Sequence, residues 1–155
     1  MIRKAAIVSI SGLTLTKKEK IIIKLEKPWG IILFKRNILS KNQLINLIKN
    51  IKKLMKDNKY PILIDEEGGS VSRLSNFLDN SLYTQKYFGD TYKCSKKIGI
   101  KLYKLYIDSL SKVLTNVGIN INTSPVLDLK RKKTHGVIGD RSYSENPTVV
   151  NELGK

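Results

Sequence analysis

The 155-residue chain has one cysteine, Cys94, and one histidine, His135. A single thiol excludes an intramolecular disulfide framework and suits a reducing compartment. No cluster with metal-ligand spacing occurs, nor does the glycine pattern of a phosphate-binding loop. Long apolar runs are also missing. The longest, such as Gly30–Phe34 and Tyr60–Ile64, are four to six residues, whereas a bilayer-spanning helix needs about 20. The N-terminus begins like a signal peptide, with charge and then an apolar stretch. That stretch ends by Gly12 without a cleavage-site pattern, so a strand is expected there.

Arginine is scarce as well. The chain carries 29 Lys and Arg against 13 Asp and Glu, a formal net charge of +16, yet only 5 of the 29 are arginine. Readers of bases and phosphates lean on the planar fork of arginine. Here the lysines are scattered along nearly the whole chain, beside abundant Ile and Asn. That pattern reads as A- and T-rich coding, with lysines solvating the surface, rather than as the mark of a partner. The 41% hydrophobic content is enough to fill a core.

The apolar pattern alternates between strands and helices. Lys4–Ile10 reads as a buried strand. Thr16 with Glu19 three residues later forms a capping-box pattern, opening a helix to about Leu25. Gly30–Phe34 reads as a second strand. Ser40, with Gln43, is expected to cap a helix whose Leu44, Ile45, Leu47, Ile48, Ile51, Leu54 and Met55 keep a 3.6-residue period. Pro61–Asp65 reads as a third strand, and a polar, Gly-containing segment follows to about Gly89. One long helix is expected over roughly Tyr92–Val117, with Ile98, Leu102, Leu105, Tyr106, Leu110, Val113 and Leu114 on one side and Gly118 as its stop. A fourth strand is expected over Ile119–Thr123, continuing to Asp128. Pro147 suits the start of a last helix. This β-α-β-α-β-α-β order calls for a parallel sheet in an α/β fold, with no linker dividing the chain.

The two irregular segments both follow strand ends, where α/β folds carry their functional groups. Ile62-Leu-Ile-Asp-Glu-Glu-Gly-Gly-Ser-Val-Ser-Arg73 puts three acids at a strand end before two glycines. Adjacent carboxylates repel and paired glycines cost conformational entropy, so a site explains the string better than stability does. Asp65 is suited to accept hydrogen bonds from sugar hydroxyls. Arg73 would pair with it or donate to the ligand. The glycines would let backbone approach the ligand. The second string is Thr123-Ser-Pro-Val-Leu-Asp128 followed by Val137-Ile-Gly-Asp-Arg-Ser-Tyr143, in which Asp140 would anchor Arg141 or cap a turn. His135 sits in the basic run Lys130-Arg-Lys-Lys-Thr-His-Gly with no adjacent carboxylate and reads as an exposed loop histidine.

Taken together, Asp65-Glu-Glu-Gly-Gly-x-Val-x-Arg73, Pro125-Val-Leu-Asp128 and Ile138-Gly-Asp-Arg-Ser142 resemble the N-terminal half of family-three glycoside hydrolases. The nearest branch is that of the bacterial β-N-acetylhexosaminidases, which trim N-acetylglucosamine from cell-wall fragments. Gly30-Ile-Ile-Leu-Phe-Lys-Arg-Asn37 resembles that branch's second strand and following loop. The order and rough spacing agree over nearly the whole chain. The resemblance implies an α/β fold forming the N-terminal half of a TIM-type (β/α)₈ barrel, with about four parallel strands and intervening helices. Residues 1–155 are then a partial catalytic-barrel domain, truncated at its C-terminus.

The resemblance further implies that Asp65, Arg73 and Arg141 bind the terminal sugar. The family's Lys-His sugar-binding pair, its His–Asp acid-base loop and its aspartate nucleophile lie further along than Lys155, so no catalytic residue is expected in this chain. His135 precedes the Gly-Asp-Arg motif and does not match the catalytic histidine. The chain departs from the family at Glu66, where Gln is usual, at Ser70, usually Arg, and at Ser72, usually Gln. A cytoplasmic hydrolase follows, with a small N-acetylglucosamine-containing partner, no cofactor or metal, and no nucleic-acid or membrane partner. A non-catalytic sugar-binding remnant and, last, a basic nucleic-acid-binding protein are the alternatives.

Overall fold

A computed structural model describes residues 2–155. The elements run β1 (Lys4–Ser9), α1 (Lys17–Glu26), β2 (Pro28–Leu33), α2 (Lys41–Met55), β3 (Ile62–Ile64), α3 (Gln85–Cys94), α4 (Lys96–Val117), β4 (Ile121–Asn122) and α5 (Pro147–Leu153). They form two compact units that interleave in sequence. The first holds the chain up to Asp65, with Asn76–Leu78 and Val113–Thr123. The second holds Glu66–Ser75, Asp79–Lys112 and Ser124–Lys155. The sequence shows no linker because the chain passes between the units in the loops after β3 and β4 and inside α4.

The first unit carries a four-stranded sheet in the order β1-β2-β3-β4. Every pair is parallel, with Val8 opposite Ile31, Ile32 opposite Leu63, and Leu63 opposite Ile121. Each strand therefore pairs with the next strand in the chain, through a helical crossover for the first two pairs. This is the connectivity of a (β/α)₈ barrel's first half. Ile31 and Leu33 are buried on one face of β2, and Ile62, Leu63 and Ile64 are all buried in β3, as expected of a strand covered on both faces. Strand β1 is not: Ile7 is 48% exposed and only Ile10, just past its end, is in the core. It is an edge strand, paired on one side alone, which composition cannot distinguish from a central strand.

Local signals set the helices of this unit. Thr16 caps α1 through the expected box, its Oγ1 accepting from Glu19 N while Thr16 N donates to Glu19 Oε2. Ser40 caps α2, accepting from Gln43 N, but the Gln43 side chain accepts from Leu39 N and donates to Leu13 O instead of closing a box. Leu44, Leu47, Ile48, Ile51 and Met55 bury the apolar face of α2. After α4 the chain turns at Gly118, whose carbonyl accepts from Lys52 Nζ at 2.8 Å. Asn120 extends the pairing ahead of β4: its backbone N–H donates to Ile62 O and its Oδ1 accepts from Ile62 N.

The second unit is built on aromatic packing. Phe88, Tyr143, Val149, Val150 and Leu153 are its buried core, with Tyr92, Tyr103 and Tyr106 packed against them. The Phe88 ring lies 4.9 Å from that of Tyr103 and 5.0 Å from that of Tyr106. The single long helix expected here is two helices. Thr84 caps α3, accepting from Tyr87 N, so the helix starts within the segment read as irregular. Ser95 is extended and separates α3 from α4. Ile98 and Leu105 of α4 are 60% and 63% exposed, contrary to the one-sided reading. The fourth strand is shorter than expected and does not reach Asp128. Helix α5 begins at Pro147, with Asn146 as its cap.

Candidate functional site

Asp65 stands at the C-terminal end of β3 in the first unit. Its Oδ1 accepts from Thr123 Oγ1 at 2.5 Å. Thr123 follows β4 and donates its backbone N–H to Ile64 O. The neighbouring strand thus orients the carboxylate, which remains half-exposed as a hydroxyl acceptor.

The rest of the first motif lies in the second unit. Glu66 is fully buried. Its Oε2 accepts from Arg73 N at 2.7 Å and Leu74 N at 2.9 Å, and its Oε1 accepts from Asn80 Nδ2 at 2.7 Å. A buried carboxylate is tolerated where donors satisfy it, and these draw the segment between residues 66 and 80 into a closed loop. Arg73 is thereby held through its own backbone. The departure from the family's Gln is absorbed by a donor-rich environment that suits an acceptor-only side chain.

Glu67 and Arg141 form a fork. Arg141 Nε and Nη2 each donate at 2.8 Å, to Glu67 Oε2 and Oε1. Glu67 is nearly buried, its side chain 8% exposed. Bidentate pairs of this kind are stronger and more directional than single contacts. The Glu67 hydrogen bonds push the Arg141 pKa above its ordinary value, against partial burial. The fork uses Nε and Nη2, so the Nη1 donors lie outside it. The anchor of Arg141 is therefore Glu67 rather than Asp140, which lies 3.5 Å from Ser70 Oγ.

The glycine pair serves the protein's own packing. Gly68 has φ 82°, and a Cβ there would lie 2.4 Å from Tyr83 O and 2.8 Å from the Tyr106 hydroxyl. The approach that demands glycine is thus made by the chain itself. Gly69 N donates to Asn80 O, closing the same loop. Gln85, a residue the motif reading passed over, is buried with its amide against the backbone of Val126 and the carbonyl of Arg141. A Gln at the first position of a helix gave no signal of this.

Of the remaining candidates, His135 is exposed in its loop, its Nδ1 accepting from Val137 N. Asp128 is exposed, and its carbonyl accepts from Ser142 Oγ at 2.6 Å. Cys94 is exposed at the end of α3. Among the described residues, no group of His, Cys, Asp and Glu is placed to hold a metal ion. Nor, among the described residues, is any helix long and apolar enough to cross a membrane.

Known proteins share this sequence pattern and fold. Residues 4–155 match the sequence model of the glycosyl hydrolase family 3 N-terminal domain. A beta-hexosaminidase of Thioalkalivibrio sulfidiphilus is 33% identical over 144 residues, covering 93% of this chain and 41% of that protein. One from Chromobacterium violaceum is 31% identical over 155 residues, covering 99% and 42%. The chain thus spans about two-fifths of the length of these relatives. Among solved structures, NagZ from Neisseria gonorrhoeae in complex with N-trifluoroacetyl-D-glucosamine superposes with a TM-score of 0.85 at 30% identity, covering 97% of this chain and 45% of that one. With its four parallel strands in barrel order and its 152 matched residues of 155, the chain belongs to glycosyl hydrolase family 3, whose N-terminal domain it matches over residues 4–155.

Proposed function

We propose that this chain supplies the sugar-binding part of a β-N-acetylhexosaminidase, which removes terminal β-linked N-acetylglucosamine from glycosides or peptidoglycan fragments in the cytoplasm. Asp65, Arg73 and Arg141 are its sugar-binding residues. Asp65 accepts from sugar hydroxyls, and the arginines donate to the sugar's oxygen atoms. A retaining glycosidase uses a nucleophilic carboxylate and an acid-base group about 5 Å apart, passing through a glycosyl-enzyme intermediate. In this reading both groups lie outside the 155 residues of this chain.

The observation that carries the reading is the family match over residues 4–155, with relatives named beta-hexosaminidase at 93% and 99% coverage. Its test is a titration of the 155-residue chain with N-acetylglucosamine, followed by amide NMR. Shifts at Asp65, Arg73 and Arg141 that vanish in Asp65→Ala support it. An unperturbed spectrum at saturating sugar sinks it. The same chain should not turn over an aryl N-acetyl-β-glucosaminide. Turnover abolished by Asp65→Ala would show that the reacting groups lie within these residues.

A further inference from the structure

The basic run that reads as a solvated loop does not stand alone in the fold. Lys130, Arg131 and Lys132 line a cleft of about 270 Å³ together with Lys86, Asp90 and Lys93 of α3 and Ser142–Glu145. All lie in the second unit. Lys86, Gly89, Asp90 and Lys93 fall at helical spacings of three, four and seven, so they share one face of α3. Gly89 brings that face against the backbone of Tyr143: a Cβ there would sit 1.8 Å from the Tyr143 carbonyl oxygen. The opposite wall is tied to the same floor, with Lys130 N donating to Ser144 O and Ser142 Oγ close to the carbonyls of Asp128 and Ser144. Thr134 closes the turn behind Arg131, its Oγ1 accepting from Arg131 N.

The lining carries five cations and two acids, a net charge of 5 − 2 = +3. Asp90 is shared between Lys86 and Lys93. Among the described residues, no ion pair neutralises Lys130, Arg131 or Lys132. Two walls of like charge repel each other, a cost that a multiply charged anion between them removes. We propose that this cleft binds a condensed phosphate group of the pyrophosphate type. A concave site with cations on both walls suits a compact ligand of high charge density. An extended nucleic-acid strand instead asks for exposed rings on which bases stack, and the one ring lining this cleft, Tyr143, is 1% exposed. The assignment is independent of the sugar-binding reading.

Isothermal titration of the 155-residue chain with sodium pyrophosphate, orthophosphate, ADP and a single-stranded oligonucleotide tests it. Pyrophosphate is expected to saturate one site and to bind at least about tenfold more tightly than orthophosphate. ADP binding as tightly as pyrophosphate assigns a nucleotide-borne diphosphate; weaker ADP binding assigns the free anion. The Lys93→Ala, Arg131→Ala double variant removes exposed side chains and should weaken pyrophosphate at least about tenfold. The Lys17→Ala, Lys20→Ala control on α1 removes the same charge and should change affinity less than about twofold. Backbone NMR shifts at Arg131, Ser142 and Ser144 of the unmodified chain give a second readout that needs no variant. Three results overturn the proposal: no saturable pyrophosphate binding, equal losses in the two double variants, or tighter binding of the oligonucleotide.

Discussion

Replacing Glu66 by leucine tests how the first motif is held. The change removes the acceptor for Arg73 N, Leu74 N and Asn80 Nδ2 at a position with no solvent exposure. Each donor left buried without a partner costs about 1–3 kcal/mol, which for the three places the loss at about 3–9 kcal/mol. Leucine returns part of this by burying apolar surface, so about 4 kcal/mol is expected. Against the about 5–15 kcal/mol that holds most domains together, this brings the protein near its limit. At about 2 kcal/mol per molar urea, the unfolding midpoint should fall by about 2 M. Amide exchange at Arg73 and Leu74 should accelerate at the same time. Glu66→Gln keeps one acceptor oxygen for the two backbone donors. Its new amide faces Asn80, whose Oδ1 is buried and makes no hydrogen bond, so a rotated Asn80 accepts from it, and about 1 kcal/mol is the expected cost. A Glu66→Leu midpoint within about 0.3 M of the unmodified protein would refute the argument. If Glu66→Leu does not fold, the order Glu66→Gln above Asn80→Ala in midpoint carries the same test.

Further outcomes follow from other contacts. Glu67→Ala should cost about 1–3 kcal/mol in a urea melt, and Arg141→Lys should lose part of the same energy, since a point charge cannot rebuild the fork. Gly89→Ala drives a Cβ into the Tyr143 carbonyl, where backbone rather than a flexible side chain must move. A loss above about 3 kcal/mol, or failure to fold, is expected by circular dichroism. Partial burial pushes the Glu19 carboxyl up, but the hydrogen bonds from Thr16 and Ser11 outweigh it and lower its pKa to about 2. The folded carboxyl is then the more acidic one, so its stabilisation is complete above about pH 4.5 and is lost as pH falls toward about 2. Glu19→Gln should flatten that part of a stability-against-pH curve.

Much of this was legible locally. Helix caps such as Thr16 and Ser40, the apolar stripe of α2, the stop at Gly118 and the strand cores at Ile31 and Ile62 each follow from neighbours within a few residues. Such signals act through backbone hydrogen bonds and one-dimensional periodicity, so a single sequence carries them. They also placed Asp65 at a strand end, and the resemblance carried by Asp65–Arg73 and Gly139–Arg141 led to the family.

The tertiary structure decided what depends on distant partners. Arg141 is anchored by Glu67, 74 residues away, rather than by its neighbour Asp140. Gly89 is set by the close passage of Tyr143, and Gly68 by that of Tyr83 together with its own φ of 82°. The exposure of β1 depends on its place at the sheet edge, and residue types suited to a central strand suit that edge as well. The charge divides in the same way. Its total of +16 is a property of composition, whereas the convergence of Lys86 and Lys93 with Lys130–Lys132 exists only because a glycine lets a helix meet the backbone of Tyr143.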